Sequence, residues 1–290
     1  MIATVLAWGV NFPALKVLYL DVAAPAVGLL RYVITLAIMA VVCVLARESL
    51  RYDREVAGRV LFIGFLAHGV YMVLFLEGMR LCTPADAAIL LAVAPIFTYL
   101  LSVLYRHEAF SVIALLGSLL AFVGVGAVVG FGTRQGQSSI GGYALIIAAA
   151  ALWAWSVVLS KPFLKHYSPM RLFTLSMPGA LPVMLVYGTV ALLRTDWRGV
   201  EPISWLALAH ISLIAGALGF TGFYAGVRDV GATGAMLYQF LVPPVAAVAA
   251  WWLLGTPLQP IQGVGFVLIV IGICVSESAR RALTPETSSA

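Results

Sequence analysis

Apolar runs of about twenty residues recur along this chain, and that is the length a helix needs to cross the hydrocarbon of a bilayer. With Gly, Pro and clustered charge as punctuation, ten spans are predicted, near 2–20, 25–46, 58–79, 85–105, 110–131, 142–160, 170–193, 203–226, 232–254 and 258–277. The longest polar connectors are RESLRYDREVAGR (47–59), GTRQGQSSIGG (132–142) and RTDWRGVEP (194–202), and none leaves room for a soluble domain. Only 10% of the residues are charged, against about a quarter in a typical soluble protein. Lipid must therefore be the solvent over most of the surface. The expected class is an all-α integral membrane protein with ten transmembrane helices.

The net charge of +5 is spread over short connectors rather than gathered in one patch, so no nucleic-acid partner is implied. Three cysteines without metal-ligand spacing indicate neither a disulfide framework nor a zinc site. No metal or cofactor is expected. The first residues are apolar, with no basic region or small-residue cleavage site, and read as a first span rather than a signal peptide. Eleven Lys and Arg fall on the side of the N-terminus and five on the other, which with Arg31 inside the second span accounts for all 17. The positive-inside bias then places both termini in the cytoplasm. The tail RRALTPETSSA (280–290) is expected to be disordered.

Within this pattern a passage is written twice. GMRLCTPADAAILLAVAP (78–95) returns as GVRDVGATGAMLYQFLVP (226–243), 148 positions on. The offset pairs Gly78 with Gly226, Arg80 with Arg228, Pro95 with Pro243, Gly117 with Gly265 and Gly124 with Gly272. At an offset of 145, WGVNFPALK (8–16) meets WAWSVVLSK (153–161), pairing Trp8 with Trp153, Asn11 with Ser156 and Lys16 with Lys161. The halves are thus residues 1–135 and 136–279, each of five spans. Five is odd, so the second half starts on the opposite side and lies inverted relative to the first. Inverted repeats around a central cavity are the plan of carriers that work by alternating access, with substrate near the midplane.

The segments WGVNFPALK, LLRY (29–32), EGMRLCTPADAAILLAVAPIF (77–97) and VRDVGATGAMLYQFLVPPVAAVAAWWLLG (227–255) resemble the drug/metabolite transporter superfamily, in its ten-helix EamA branch. The resemblance implies an exporter of small metabolites in the inner (plasma) membrane. The density of aromatic residues is most similar to the members that export aromatic and other amino acids. Such members often carry an acid in both the fourth–fifth and ninth–tenth connectors; here Glu108 fills the first and Thr256 stands at the second.

No catalytic pattern is present, and every Asp and Glu falls in a connector or within about a turn of a span end. A midspan carboxylate would cost roughly 2.5–3.5 kcal/mol on insertion scales and would flag an ion relay. Without one, a carrier running down its substrate's own gradient is favoured. Arg31, about 9 Å from the start of its span at 1.5 Å per residue, reads as snorkelling to the interface rather than binding a substrate carboxylate. His68 shares a helical face with Tyr71 and Phe75 and is a candidate for substrate contact or a pH-sensitive gate, against the simpler reading of a hydrogen-bonded core histidine. Trp8 with Asn11, and Trp153 with Ser156, are expected to line the cavity from matching positions of the two halves. Tyr238 and Gln239 stand one turn before Pro243, and a glutamine at that depth needs a partner. Pro95 and Pro243 favour bends, and Gly216, Gly219 and Gly222 form a stripe that permits close helix approach; both sets are hinge candidates, against static packing.

The expected function is export of aromatic and other large neutral amino acids, the partners being that substrate and the bilayer. The alternative is proton-coupled export of drug-like or nucleoside-like metabolites. A lipid-modifying enzyme would need paired acids, a metal cluster or a nucleophile–base pair, and a channel would need a polar stripe along several spans. Neither pattern appears in the sequence.

Overall fold

A computed structural model describes residues 1–82, 84–130, 139–254 and 258–283. Most of the tail, the 131–138 connector, the boundary between the halves near 135, and Thr256 lie outside the described residues. The described elements are helices: α1 (Ile2–Leu18), α2 (Ala24–Leu45), α3 (Ala57–Leu81), α4 (Asp86–Leu104), α5 (Val112–Val129), α6 (Ile140–Lys165), α7 (Pro169–Arg194), α8 (Pro202–Ala249) and α9 (Pro260–Leu283). All but α1 are long and apolar enough to cross a membrane, and α1 is a shorter apolar helix. Large apolar side chains are exposed along α5 and α9, among them Leu116, Val123, Val264 and Val267. Lipid is the solvent in which such a surface costs nothing.

The 48 residues of α8 do not run straight. At Gly231 the backbone takes φ 82° and ψ 168°, a conformation that a residue without Cβ adopts at little cost. Two arms result, one before and one after Gly231. The prolines also act where the sequence places them. Helix α4 pauses in a turn at residues 92–93 before Pro95, and α8 tightens into a 3-10 turn at Tyr238–Leu241 before Pro243. Proline removes one intrahelical hydrogen bond and crowds the preceding turn, which accounts for both interruptions.

Two wider turns were not expected. Helix α3 is π-helical over Phe65–Val70, and α8 over His210–Leu218. Shifted by 148 residues, the first falls inside the second. Such turns displace the side chains that follow from the face a regular helix would give them.

Glycines allow α5 and α9 to meet backbone to backbone. A Cβ added to Gly117 of α5 would stand 2.8 Å from the Gly272 carbonyl oxygen of α9, and one on Gly272 would stand 2.6 Å from that of Gly117. Gly124 and Gly265 oppose each other in the same way, at 2.7 and 2.6 Å. The residues that pair by sequence offset thus meet in crossed order, Gly117 on Gly272 and Gly124 on Gly265. Beside them the Ser118 and Ser276 hydroxyls lie 3.1 Å apart in a buried hydrogen bond. Close backbone approach of this kind is the main source of helix association in lipid.

Candidate functional site

Helices α1, α3, α6 and α8 bring their aromatic side chains to one place. Tyr71 stacks on Trp153 with ring centroids 5.4 Å apart, and Phe75 stacks on Tyr71 at 5.9 Å. Trp8 meets Trp153 edge-on at 6.1 Å and Phe220 at 5.3 Å. The Trp8 indole N–H donates to the Ala215 carbonyl at 2.9 Å, inside the π-helical part of α8. The glycine stripe supplies the room: a Cβ on Gly219 would stand 2.7 Å from Trp8 Nε1, and one on Gly222 2.7 Å from Thr4 Oγ1. Gly216 packs instead against Thr35 of α2. Pairs of this geometry contribute about 0.5–1.5 kcal/mol each beyond the area they bury, so the walls are preformed.

These rings wall an open-mouthed cavity of about 70 Å³. Of the residues expected at a site, Trp8, Asn11, Tyr71, Phe75, Trp153 and Gln239 line it. So do Phe12, Phe220 and Pro243. Besides the Tyr71 hydroxyl and the indole N–H groups, three polar groups line it. Asn11 Oδ1 is buried with no hydrogen-bond donor. Among the described residues Gln239 donates only to the Met236 sulfur, at 3.0 Å. The third is Arg31.

Arg31 overturns its expected snorkelling. Its side chain turns inward from α2 and is 6% exposed. Among the described residues its one hydrogen bond runs from Nη1 to the Met72 sulfur at 3.9 Å, and sulfur is a weak acceptor. Among the described residues no carboxylate pairs with it. Buried charges are as a rule paired and hydrogen-bonded, so a lone guanidinium inside an aromatic cavity is the feature of this site that most needs an anion.

Arg31, Met72 and Phe220 also border a smaller inner cavity of about 30 Å³. His68 lines this one and not the aromatic cavity, so it parts from the face it was expected to share with Tyr71 and Phe75. The cause is the π-helical turn at Phe65–Val70, which holds His68 just before the regular helix resumes at Tyr71. The imidazole is 5% exposed, sits edge-on to Phe173 and Phe220 at 5.1 and 5.2 Å, and leaves Nε2 without a partner. Ser156 and Tyr238 line neither cavity. The Ser156 hydroxyl donates within its own helix to the Trp153 carbonyl at 2.7 Å, which satisfies it.

On the side of the N-terminus an ion-pair cluster joins the helix ends. Arg280 of α9 grips Glu108, in the connector before α5, through Nε at 2.7 Å and Nη2 at 3.0 Å, and reaches Glu277 at 2.6 Å. The backbone break at Gly231 lies against this cluster, with Lys161 on its other flank. No group of three or more His, Cys, Asp or Glu side chains suited to a metal ion occurs among the described residues.

A multi-pass helical membrane protein with a preformed, largely apolar cavity belongs to the broad class of small-molecule transporters, and sequence relatives narrow it. The EamA-like transporter family matches residues 1–130 and 140–277, and the chain belongs to that family. It is 26% identical to the uncharacterized transporter YyaM of Bacillus subtilis, over 79% of this chain and 75% of that one. It is 25% identical to an uncharacterized transporter of Archaeoglobus fulgidus, over 94% and 96% of the two chains. It is also 26% identical to a protein of Streptantibioticus cattleyicolor named "Probable terminal-alkyne amino-acid exporter", over 94% and 90%. A crystal structure of a protein 18% identical in sequence superposes with a TM-score of 0.76, over 98% and 97% of the two chains, and shares the fold.

Proposed function

We propose that this transporter exports amino acids with large neutral side chains, aromatic ones among them, across the plasma membrane by facilitated alternating access. The observation that carries the proposal is the unpaired Arg31 guanidinium in a cavity walled by aromatic rings. An α-amino acid supplies what this cavity lacks: a carboxylate for Arg31, ammonium protons for Asn11 Oδ1 and the ring faces, and an apolar body for Tyr71, Phe75 and Trp153. The exporter of S. cattleyicolor is named for amino-acid cargo as well.

In this proposal the chain crosses the membrane ten times, α8 contributing two crossings on either side of Gly231 and the short α1 one. The halves 1–135 and 136–279 are inverted repeats, and both termini are cytoplasmic. Support comes from the family match in two segments, the equivalent π-helical turns and the crossed glycine contacts of α5 with α9. Pro95, Pro243 and the Gly216–Gly222 stripe then sit where two halves that rock would bend or slide. The cavity offers no acid for a proton relay, so transport follows the substrate gradient.

Proteoliposomes loaded with labelled phenylalanine, leucine and lysine test this directly. Phenylalanine and leucine are expected to leave without an imposed proton gradient, and lysine to leave slowly. Release that needs the gradient would replace facilitated transport with coupling. Release of phenethylamine or nucleosides but of no amino acid would move the cargo to drug-like or nucleoside-like compounds.

A further inference from the structure

The inner cavity is built differently from the aromatic one. Eight of its ten lining residues form four pairs at the two offsets by which the sequence repeats. Gly28 and Phe173, and Tyr32 and Met177, stand 145 apart; His68 and Gly216, and Met72 and Phe220, stand 148 apart. Two of these matched residues are also bonded, Tyr32 Oη donating to the Met177 carbonyl at 2.9 Å. A cavity whose wall is contributed equally by matching positions of two halves lies between those halves. In repeat-built carriers the substrate site lies at that interface.

The two residues that break the pairing are Arg31 and Thr35, whose counterparts at 145 are Ser176 and Ala180. Thr35 spends its hydroxyl on the Ser212 carbonyl at 3.0 Å. Arg31 therefore puts a single positive charge into an otherwise matched pocket. Across it His68 Nε2 is buried and unpartnered. A neutral imidazole protonated there donates one N–H, so the pocket presents two donors, of which Arg31 has only a weak sulfur acceptor and His68 Nε2 none.

We infer that the inner cavity is a second, anion-binding station, which takes a carboxylate between the Arg31 guanidinium and His68 Nε2. Arg31 borders both cavities, so a carboxylate caught in the outer one passes inward without leaving its counter-ion. Met72 and Phe220 stand at the partition as one matched pair. With about half the space of the outer cavity, the inner one admits the carboxylate and leaves a bulky side chain among the aromatic rings. That the carboxylate belongs to an amino acid rests on the function proposed above; a free small anion is the other source of the same chemistry.

The test is calorimetry on the full chain in nanodiscs, with L-phenylalanine and with phenethylamine, which lacks the carboxylate. His68→Phe keeps the ring contacts and removes the donor. It is expected to weaken phenylalanine roughly tenfold, the size of one hydrogen bond to a charged group, and to leave phenethylamine unchanged. Equal weakening of both, or of neither, overturns the inference. Should His68→Phe fail to fold, His68→Met takes its place with the same expectation. Sodium acetate and sodium chloride are then compared for their effect on the melting temperature. If phenylalanine does not bind but acetate or chloride stabilises the wild type and neither Arg31→Gln nor His68→Phe, the anion site stands and the amino-acid reading falls. If neither salt stabilises and phenylalanine binds no differently from phenethylamine, the anion site falls.

Discussion

Arg31 and Arg280 are both withdrawn from solvent, yet their surroundings are opposite. Arg280 has two carboxylates, one of them gripped through two nitrogens, and it ties the last helix to the connector before α5. Arg31 has a thioether and aromatic rings. A buried cation with its counter-ions in place works as a clasp, and removing one partner strands the other. A buried cation with none is a standing cost to the fold, and such a cost is the mark of groups kept for a ligand. The same residue type is thus paired with carboxylates at one end of the molecule and left beside a thioether in the middle.

Substitution can sharpen or break this contrast. The largest effect is expected for Arg31→Gln, which should slow phenylalanine release from proteoliposomes roughly 100-fold, as loss of charge-assisted hydrogen bonds predicts. The melting temperature should stay level or rise, because an uncompensated buried charge is gone. A fall in stability with transport intact would make Arg31 a structural residue and end the comparison. Arg280→Gln is expected to do the reverse, costing about 3 kcal/mol in denaturant unfolding. Glu108→Gln should cost a similar amount, and the double variant little more than either single one; additive losses would mean that the two groups do not act as a pair. Tyr71→Leu should weaken phenylalanine binding up to about tenfold by removing one stacking partner, with leucine affected less. The smallest effect belongs to Ser156→Ala, whose hydroxyl serves its own helix: transport should stay within about twofold of wild type, a change of roughly 0.4 kcal/mol.

What could be read in advance follows a physical line. Apolar runs mark helices that lipid must solvate, and proline and glycine mark where they stop, so the bends at Pro95 and Pro243 and a break between residues 226 and 232 were legible, though not its seat at Gly231. The offset pairing of Trp8 with Trp153 was legible too, since both rings reach the same cavity. Arg31 was misread because counting along a helix gives depth but not which way a side chain turns. The overlooked signal was charge itself, eight residues into an apolar run. His68 was assigned to the wrong face because regular helical spacing was assumed across Phe65–Val70. Composition gives no sign of a π-helical turn there. Ser156 was chosen for its match to Asn11, yet a serine in a helix can bond backward to its own backbone, and this one does. Phe12 and Phe220 carried no mark that separated them from the other phenylalanines.

The loneliness of Arg31 also bears on kinetics. Under the proposed alternating access, an empty carrier that passes between its two open forms must enclose a guanidinium with no counter-ion in low dielectric, whereas one loaded with the proposed amino acid encloses it beside a carboxylate. The return stroke without cargo is then the slow one. Labelled amino acid should leave vesicles faster when unlabelled amino acid waits outside, so the protein would trade cargo across the membrane more readily than it discharges it.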